Sequence, residues 1–200
     1  MRKAILHLKN ADPILAGIIA RVGPLRIQYR EPCFQTLVRS IVYQQLSGKA
    51  ALTIFNRLTA KAGEPLTPEA ILRLRPATLR GVGLSQQKTN YVRDLALRTR
   101  KGEIDFACLE ALADHEIVGH LTQVKGIGVW TVHMFLIFAL RRPNVLPTGD
   151  LGVRAAIQKA YKLPELPKPE EIEKIAQAWH PFCSIASWYL WRSLENPATL

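Results

Sequence analysis

LTQVKGIGVWTVHMFLIFALRRPNVLPTGDLGVRAAIQKAYK, residues Leu121 to Lys162, decides the fold of this 200-residue chain. Gly126-Ile127-Gly128 separates two apolar-periodic segments, and glycines at both ends of so short a turn let the backbone reverse and approach a partner closely. Val129 to Leu140 is apolar almost all round, which predicts a buried helix. Arg141-Arg142-Pro143 stops it, because proline cannot continue the hydrogen-bond ladder. A loop from Pro143 to Gly149 then leads to Asp150, placed as the N-cap of a helix over Leu151 to Tyr161.

Outward from this stretch, the chain reads as helix after helix. Asp12-Pro13 begins the first helix, which Gly23-Pro24 stops. Pro32 opens a second through Leu46, with Phe34, Leu37, Val38, Ile41 and Val42 on one face. Further helices are expected over Lys49–Ala62, Thr67–Leu74, Pro76–Arg80, Ser85–Arg100, Asp105–Ala113 and Asp114–Val124. Gly81-Val82-Gly83 is either a weaker echo of the later hairpin or a plain joint between helices. A stiff proline-rich connector, Pro164 to Pro169, precedes helices over Glu170–Trp179 and Phe182–Leu194. No strand alternation of useful length is present. The class is all-α: two helical lobes with a cleft between them, a single catalytic unit over 1–200. One lobe covers roughly 32–124; the other covers 125–200 with the N-terminal segment, and the hairpin spans 121–132.

Composition bounds the chemistry. The chain carries 27 Lys and Arg against 16 Asp and Glu, a net charge of +11. Ten basic residues stand against three acids in residues 1–64, and six against one in 120–163, so charge gathers where the other motifs lie. Three distant cysteines argue against a disulfide framework. No apolar run reaches membrane-spanning length, and MRKAILHLKNADP lacks a signal-peptide core. The histidines form no HExxH pair, and neither a phosphate-binding Walker loop nor a dinucleotide fingerprint is present.

Helix, Gly-Ile-Gly hairpin, helix, Pro/Gly loop and an aspartate twenty-two residues past Gly128 resemble the helix-hairpin-helix–Gly/Pro–Asp superfamily of DNA base-excision glycosylases. Within it the chain resembles the 3-methyladenine DNA glycosylase II branch, with further matches in Ile41–Ser47 and Trp179–Trp191. The resemblance implies Asp150 as the catalytic carboxylate. Cleaving a purine N-glycosidic bond builds positive charge on deoxyribose, which a carboxylate stabilises while it orients or deprotonates the attacking water. From the helix alone, Asp150 reads equally well as a plain N-cap, and both roles can coexist.

For the hairpin, the resemblance implies a DNA phosphate held by backbone N–H groups, the contacts being Lys125, Gly126, Ile127, Gly128, Val129 and Thr131. It adds a monovalent cation, Na+ or K+, on the carbonyls of Thr122, Val124 and Ile127. No other cofactor is expected, and three cysteines cannot supply a four-cysteine iron–sulfur cluster. Relatives that also cut the strand place a Schiff-base lysine directly after the hairpin; Trp130 stands at that position here. Water is therefore the expected nucleophile.

A base inside a duplex must be flipped out before it is cut, and the gap filled. Gln45 aligns with the family's intercalating position, and Leu46 is the more apolar plug. Trp130, Phe182, Met134, Tyr43 and Gln44 are candidates for the base pocket, since a cationic alkylated purine favours electron-rich rings. Phe182 and Met134 stand where bacterial relatives carry tryptophan and another aromatic, and Cys183 replaces the arginine of a Trp-x-Pro-x-Arg-Ser motif. A minimal form is also expected, without the antiparallel N-terminal domain of the bacterial relative before residue 25. The expectation is a monomeric, monofunctional glycosylase hydrolysing alkylated purines, chiefly 3-methyladenine with 7-methylguanine second, from duplex DNA. It would act in base excision repair, in the cytoplasm of a prokaryote or the nucleus of a eukaryote, with no membrane partner. The rival readings are a non-catalytic helix-hairpin-helix DNA-binding module and a glycosylase for hypoxanthine or uracil.

Overall fold

The structure, a computed structural model, describes residues 1–195. Among these the regular elements are all helical: α1 (Arg2–Ala11), α2 (Pro13–Val22), α3 (Phe34–Tyr43), α4 (Gly48–Ala62), α5 (Pro68–Arg73), α6 (Pro76–Gly81), α7 (Gln86–Arg100), α8 (Asp114–Leu121), α9 (Val129–Phe138), α10 (Leu151–Tyr161), α11 (Pro169–Ala176) and α12 (Cys183–Ser193). Short 3₁₀ turns cover Leu109–Ala111 and Gln177–Trp179.

The chain divides into two compact units, Arg30–Phe135 on one hand and Met1–Tyr29 with Leu136–Leu200 on the other. The division falls within α9, so the hairpin belongs to the 30–135 unit and not, as expected, with the residues that follow it. Bonds to the turn from Gln44, just past α3, and from Asp94 of α7 hold the hairpin in that unit.

In the 30–135 unit, α7 lies against α3 and α5. Leu37, Val38, Ile41 and Val42 of α3 are fully buried, as are Ile71, Val92 and Leu95. These are the one-face apolar positions of the α3 sequence, and burying each such side chain contributes about 1.5–3 kcal/mol. In the other unit α12 is central, with Cys183 to Leu190 all buried, and it lies against α2 and α10. Asp12 caps α2 by accepting from the N–H groups of Ile14 (2.9 Å) and Leu15 (3.0 Å). Its other oxygen accepts from Trp179 Nε1 (2.8 Å) and from the Tyr161 hydroxyl, which ties the far end of α10 to α2. Burial and that carboxylate push the Tyr161 hydroxyl well above its ordinary range.

Several boundaries differ from the sequence reading for visible reasons. A helix, α1, precedes Asp12, burying Ala4 and Leu8, one turn apart on one face. Helix α3 ends at Tyr43, not Leu46, because Gln45 turns into the left-handed region (φ 54°). Helix α9 ends at Phe138, not Leu140: Arg141 is left-handed (φ 55°) and the Arg142 N–H donates back to the Leu136 carbonyl at 2.9 Å. Nor is α9 buried throughout, since Val129 and Trp130 are each 50% exposed. The segment from Asp105 to Ala113 holds only a 3₁₀ turn, and α8 stops at Leu121.

Candidate active site and nucleic-acid interface

The hairpin occupies residues 122–128, between α8 and α9. Its Ile127 N–H donates to the Val124 carbonyl at 3.0 Å, closing the turn. Gly126 takes φ 81°, and a Cβ there would sit 2.0 Å from the Tyr91 ring of α7, so no other residue fits. The Lys125 N–H donates to Asp94 Oδ2 (2.9 Å), and Gln44 Nε2 donates to the Gly126 carbonyl (2.8 Å). Gly128 differs. It has no unusual φ, and a Cβ placed on it would meet no atom within 4 Å, so nothing within the chain requires glycine there.

Lys125, Gly128 and Val129 are exposed, Gly126 is half-buried, and Ile127 is buried beneath the turn. Thr131, one of the expected phosphate contacts, is only 5% exposed, so its side chain serves the interior. The Thr122, Val124 and Ile127 carbonyls lie in this turn, and that of Val124 already accepts from Ile127.

The intercalating candidates stand on an exposed loop at the end of α3. Gln45 is left-handed and exposed, and Leu46 is 40% exposed. Ser47 closes the loop by accepting from the Ala50 N–H (3.4 Å) at the start of α4. Gln44, expected in the base pocket, instead directs its amide to the hairpin. Tyr43 is half-buried with the Arg39 guanidinium 4.1 Å from its ring centre, so one face already holds a cation. Met134 is half-buried, and so is His133, whose pKa is lowered by burial. Phe182 is half-buried, edge-on to His7 with ring centres 5.4 Å apart. Cys183, in the arginine's place, is fully buried, and burial pushes its thiol up to about 12. That position therefore supplies no charge to a phosphate.

Asp150 caps α10 as the sequence indicates, its Oδ1 accepting from the Val153 N–H at 2.8 Å. The same oxygen accepts from Trp191 Nε1 at 2.7 Å. Two donors on one oxygen fix the orientation of the carboxylate, which retains 8% exposure. The Trp191 indole is stacked on Phe138, with ring centres 5.8 Å apart. Gly152 makes room for it: a Cβ there would come within 2.9 Å of the indole and 3.1 Å of Asp150 Oδ1. The loop before Asp150 is pinned by Ser184, whose hydroxyl donates to the Arg142 carbonyl (2.6 Å) and accepts from the Val145 N–H (2.9 Å). The Ser184 N–H donates to the Pro143 carbonyl at 3.0 Å, and His180 Nδ1 meets Asn144 Oδ1 at 2.9 Å. Sequence reasoning gave no role to Trp191, Gly152, Ser184, Tyr91 or Asp94. Only the Trp-x-Pro-x-Arg-Ser match pointed toward Ser184, and nothing local to Trp191 signalled its reach to Asp150 across 41 residues.

An all-helical fold with a glycine hairpin, and an oriented carboxylate beyond a pinned Pro/Gly loop, define a helix-hairpin-helix class of DNA-repair protein. The profile of the HhH-GPD superfamily of base excision DNA repair proteins matches residues 38–181, and the chain belongs to that family. It is 35% identical to DNA-3-methyladenine glycosylase 1 of Schizosaccharomyces pombe, over 96% of this chain and 87% of the relative. The solved structure of S. pombe Mag1 in complex with abasic DNA superposes with a TM-score of 0.83, at 35% identity, over 94% of this chain and 95% of that one. A DNA-3-methyladenine glycosidase from Bacillus halodurans superposes with a TM-score of 0.88 at 33% identity, over 98% and 91% of the two chains. Among the described residues no helix is long and apolar enough to cross a membrane, and no group of three or more His, Cys, Asp or Glu is placed to hold a metal ion.

Proposed function

We propose that this chain is a monofunctional DNA glycosylase that hydrolyses the N-glycosidic bond of alkylated purines, chiefly 3-methyladenine with 7-methylguanine second, in duplex DNA during base excision repair. The observation that carries the reading is Asp150, a carboxylate fixed by Val153 and Trp191 at the N-terminus of α10. Relatives named for 3-methyladenine support the substrate class.

The hairpin grips a phosphate through N–H groups at the start of α9, whose positive dipole end suits an anion. Gly128, with open space where a side chain would be, suits close approach of a sugar–phosphate backbone. Lys125 adds a charge contact. The carbonyls of Thr122, Val124 and Ile127 would hold a monovalent cation, since carbonyl oxygen without carboxylate suits a weakly charged ion, and such a cation would add positive charge against the phosphate. Gln45 and Leu46 fill the space left by the flipped nucleotide. Trp130, half exposed, offers a ring face to the cationic purine, and Phe182, Met134 and Tyr43 complete the aromatic and thioether candidates.

A purine alkylated at N3 or N7 carries a positive charge and leaves as a neutral base when the C1′–N bond breaks. The charge passes to the sugar, where the Asp150 carboxylate stabilises it. Water then adds its oxygen to C1′ and gives its proton to Asp150. The products are the free base and an abasic site in an intact strand. No amine stands at Trp130, so a Schiff base does not form there. The protein acts as a monomer on damaged duplex DNA, wherever the cell keeps it.

Duplex DNA treated with a methylating agent tests the reading. Free 3-methyladenine should appear, with strand breaks only after added alkali. Strand cutting without alkali would contradict the assignment at Trp130, and no base release would contradict the substrate class.

A further inference from the structure

Three residues of α7, spaced one turn apart, reach the two devices that the proposed function aims at DNA. Lys88 Nζ donates to the carbonyls of Val42 and Gln44, each at 2.7 Å, at the end of α3. Tyr91 lies under Gly126 of the hairpin, and Asp94 Oδ2 accepts from the Lys125 N–H at 2.9 Å. Positions 88, 91 and 94 share one face of a helix. A fourth bond joins the devices directly, Gln44 Nε2 to the Gly126 carbonyl at 2.8 Å.

We propose that Lys88 is a positioning residue for the intercalating loop, and that this stripe of α7 holds loop 44–47 and hairpin 122–128 in fixed register, so that gripping the phosphate also aims the plug. The inference rests on the reading of the chain as a base-flipping glycosylase.

The physical case begins with the carbonyls. A helix C-terminus leaves its last C=O groups without intrahelical donors and carries partial negative charge. An ammonium there satisfies two of them and opposes the dipole. Water would do the same for an exposed helix end, and a surface lysine would ordinarily stay solvated. Here Lys88 is partly buried and burial lowers its pKa, so the amine has exchanged part of its hydration for these two carbonyls. The gain is geometric. With Val42 and Gln44 held, the chain can leave α3 abruptly, and Gln45 turns left-handed (φ 54°) so that it and Leu46 stand exposed. A non-glycine residue in that region is strained and persists only where its surroundings determine it. Lys88 and the Gln44–Gly126 bond are those surroundings.

The hairpin has its own supports in Tyr91 and Asp94, so loss of the Lys88 amine loosens the plug and leaves the grip. The test compares two duplexes by fluorescence anisotropy: one intact, and one with a tetrahydrofuran abasic analogue, whose gap a plug can fill. Lys88→Met, which keeps the stem and removes the amine, should bind intact duplex within about twofold of the parent while its preference for the abasic analogue falls roughly tenfold, the scale of a lost hydrogen bond to a charged group. Lys88→Arg should retain most of that preference. Gln44→Leu, which cuts the other end of the linkage, should repeat the loss and stands in if Lys88→Met does not fold.

A second readout uses 7-methylguanine in a pair or in a mismatch. Flipping costs less from a mismatch, so excision by Lys88→Met should drop more on the paired substrate. An unchanged abasic preference, or equal loss on both duplexes, overturns the inference. Parent protein that prefers the abasic duplex yet releases no methylated base would instead sink the glycosylase reading and leave this one standing.

Discussion

Trp191→Phe removes the indole N–H and shortens the ring. The indole stacks on Phe138 at 5.8 Å and donates to Asp150 Oδ1 at 2.7 Å; phenylalanine keeps part of the ring contact and loses the hydrogen bond. A hydrogen bond to a charged group contributes about 1.5–3 kcal/mol. The Val153 N–H still holds the same oxygen at 2.8 Å, so the carboxylate keeps its helix-cap bond and loses the donor that fixes it from α12. We expect a stability loss of about 1–2 kcal/mol, or roughly 2–8 °C in Tm for a chain of this length. Release should slow about tenfold, since each 1.4 kcal/mol of misdirected stabilisation is a factor of ten. Single-turnover release of 3-methyladenine from methylated duplex, at a temperature where both proteins are folded, measures it. Gly152→Ala tests the same geometry from the other side, because its Cβ would meet the indole at 2.9 Å. Parent-like release from both variants would refute the claim that Trp191 orients Asp150.

Three further outcomes follow from the geometry. Gly126→Ala combines a left-handed φ of 81° with a Cβ 2.0 Å from the Tyr91 ring. The cost should be roughly 2–4 kcal/mol, seen as a lower Tm and weaker binding to undamaged duplex. By contrast, Gly128→Ala meets no atom of the protein, so it should melt like the parent and lose affinity only if DNA approaches there. Ser184→Ala leaves the Val145 N–H and the Arg142 carbonyl without their shared partner. It should cost about 1–3 kcal/mol and lower the rate of base release more than duplex affinity, because it loosens the loop before Asp150 and not the hairpin.

The all-α class and the cap at Asp150 were legible because their signals are local. Proline at first turns, Ser, Thr or Asp at caps and glycine at reversals each act within a few residues. Helix α10 therefore runs over Leu151–Tyr161 as its cap and periodicity indicate. Boundaries set by distant groups were not legible. Helix α3 stops at Tyr43 under the amine of Lys88, and α9 keeps Val129 and Trp130 half exposed although its sequence is mostly apolar. The candidate site divides the same way. Asp150 and the hairpin stand out as motifs, whereas Trp191, Ser184 and Gly152 are recognised by what they touch. Gln44 shows the hazard of reading a role from position alone: it stands among the base-pocket candidates beside Tyr43, and its amide goes to the Gly126 carbonyl.

The central claim is that the carboxylate of Asp150 carries the chemistry and is more than a helix cap. Asp150→Asn tests it most directly, since an amide oxygen can still accept from Val153 and Trp191 while the negative charge is gone. Release of 3-methyladenine should fall by at least about a hundredfold, the scale seen when a preorganised electrostatic group is removed, with binding to abasic-analogue duplex and Tm close to the parent's. Release at the parent rate from a folded, DNA-binding Asp150→Asn protein would contradict the account.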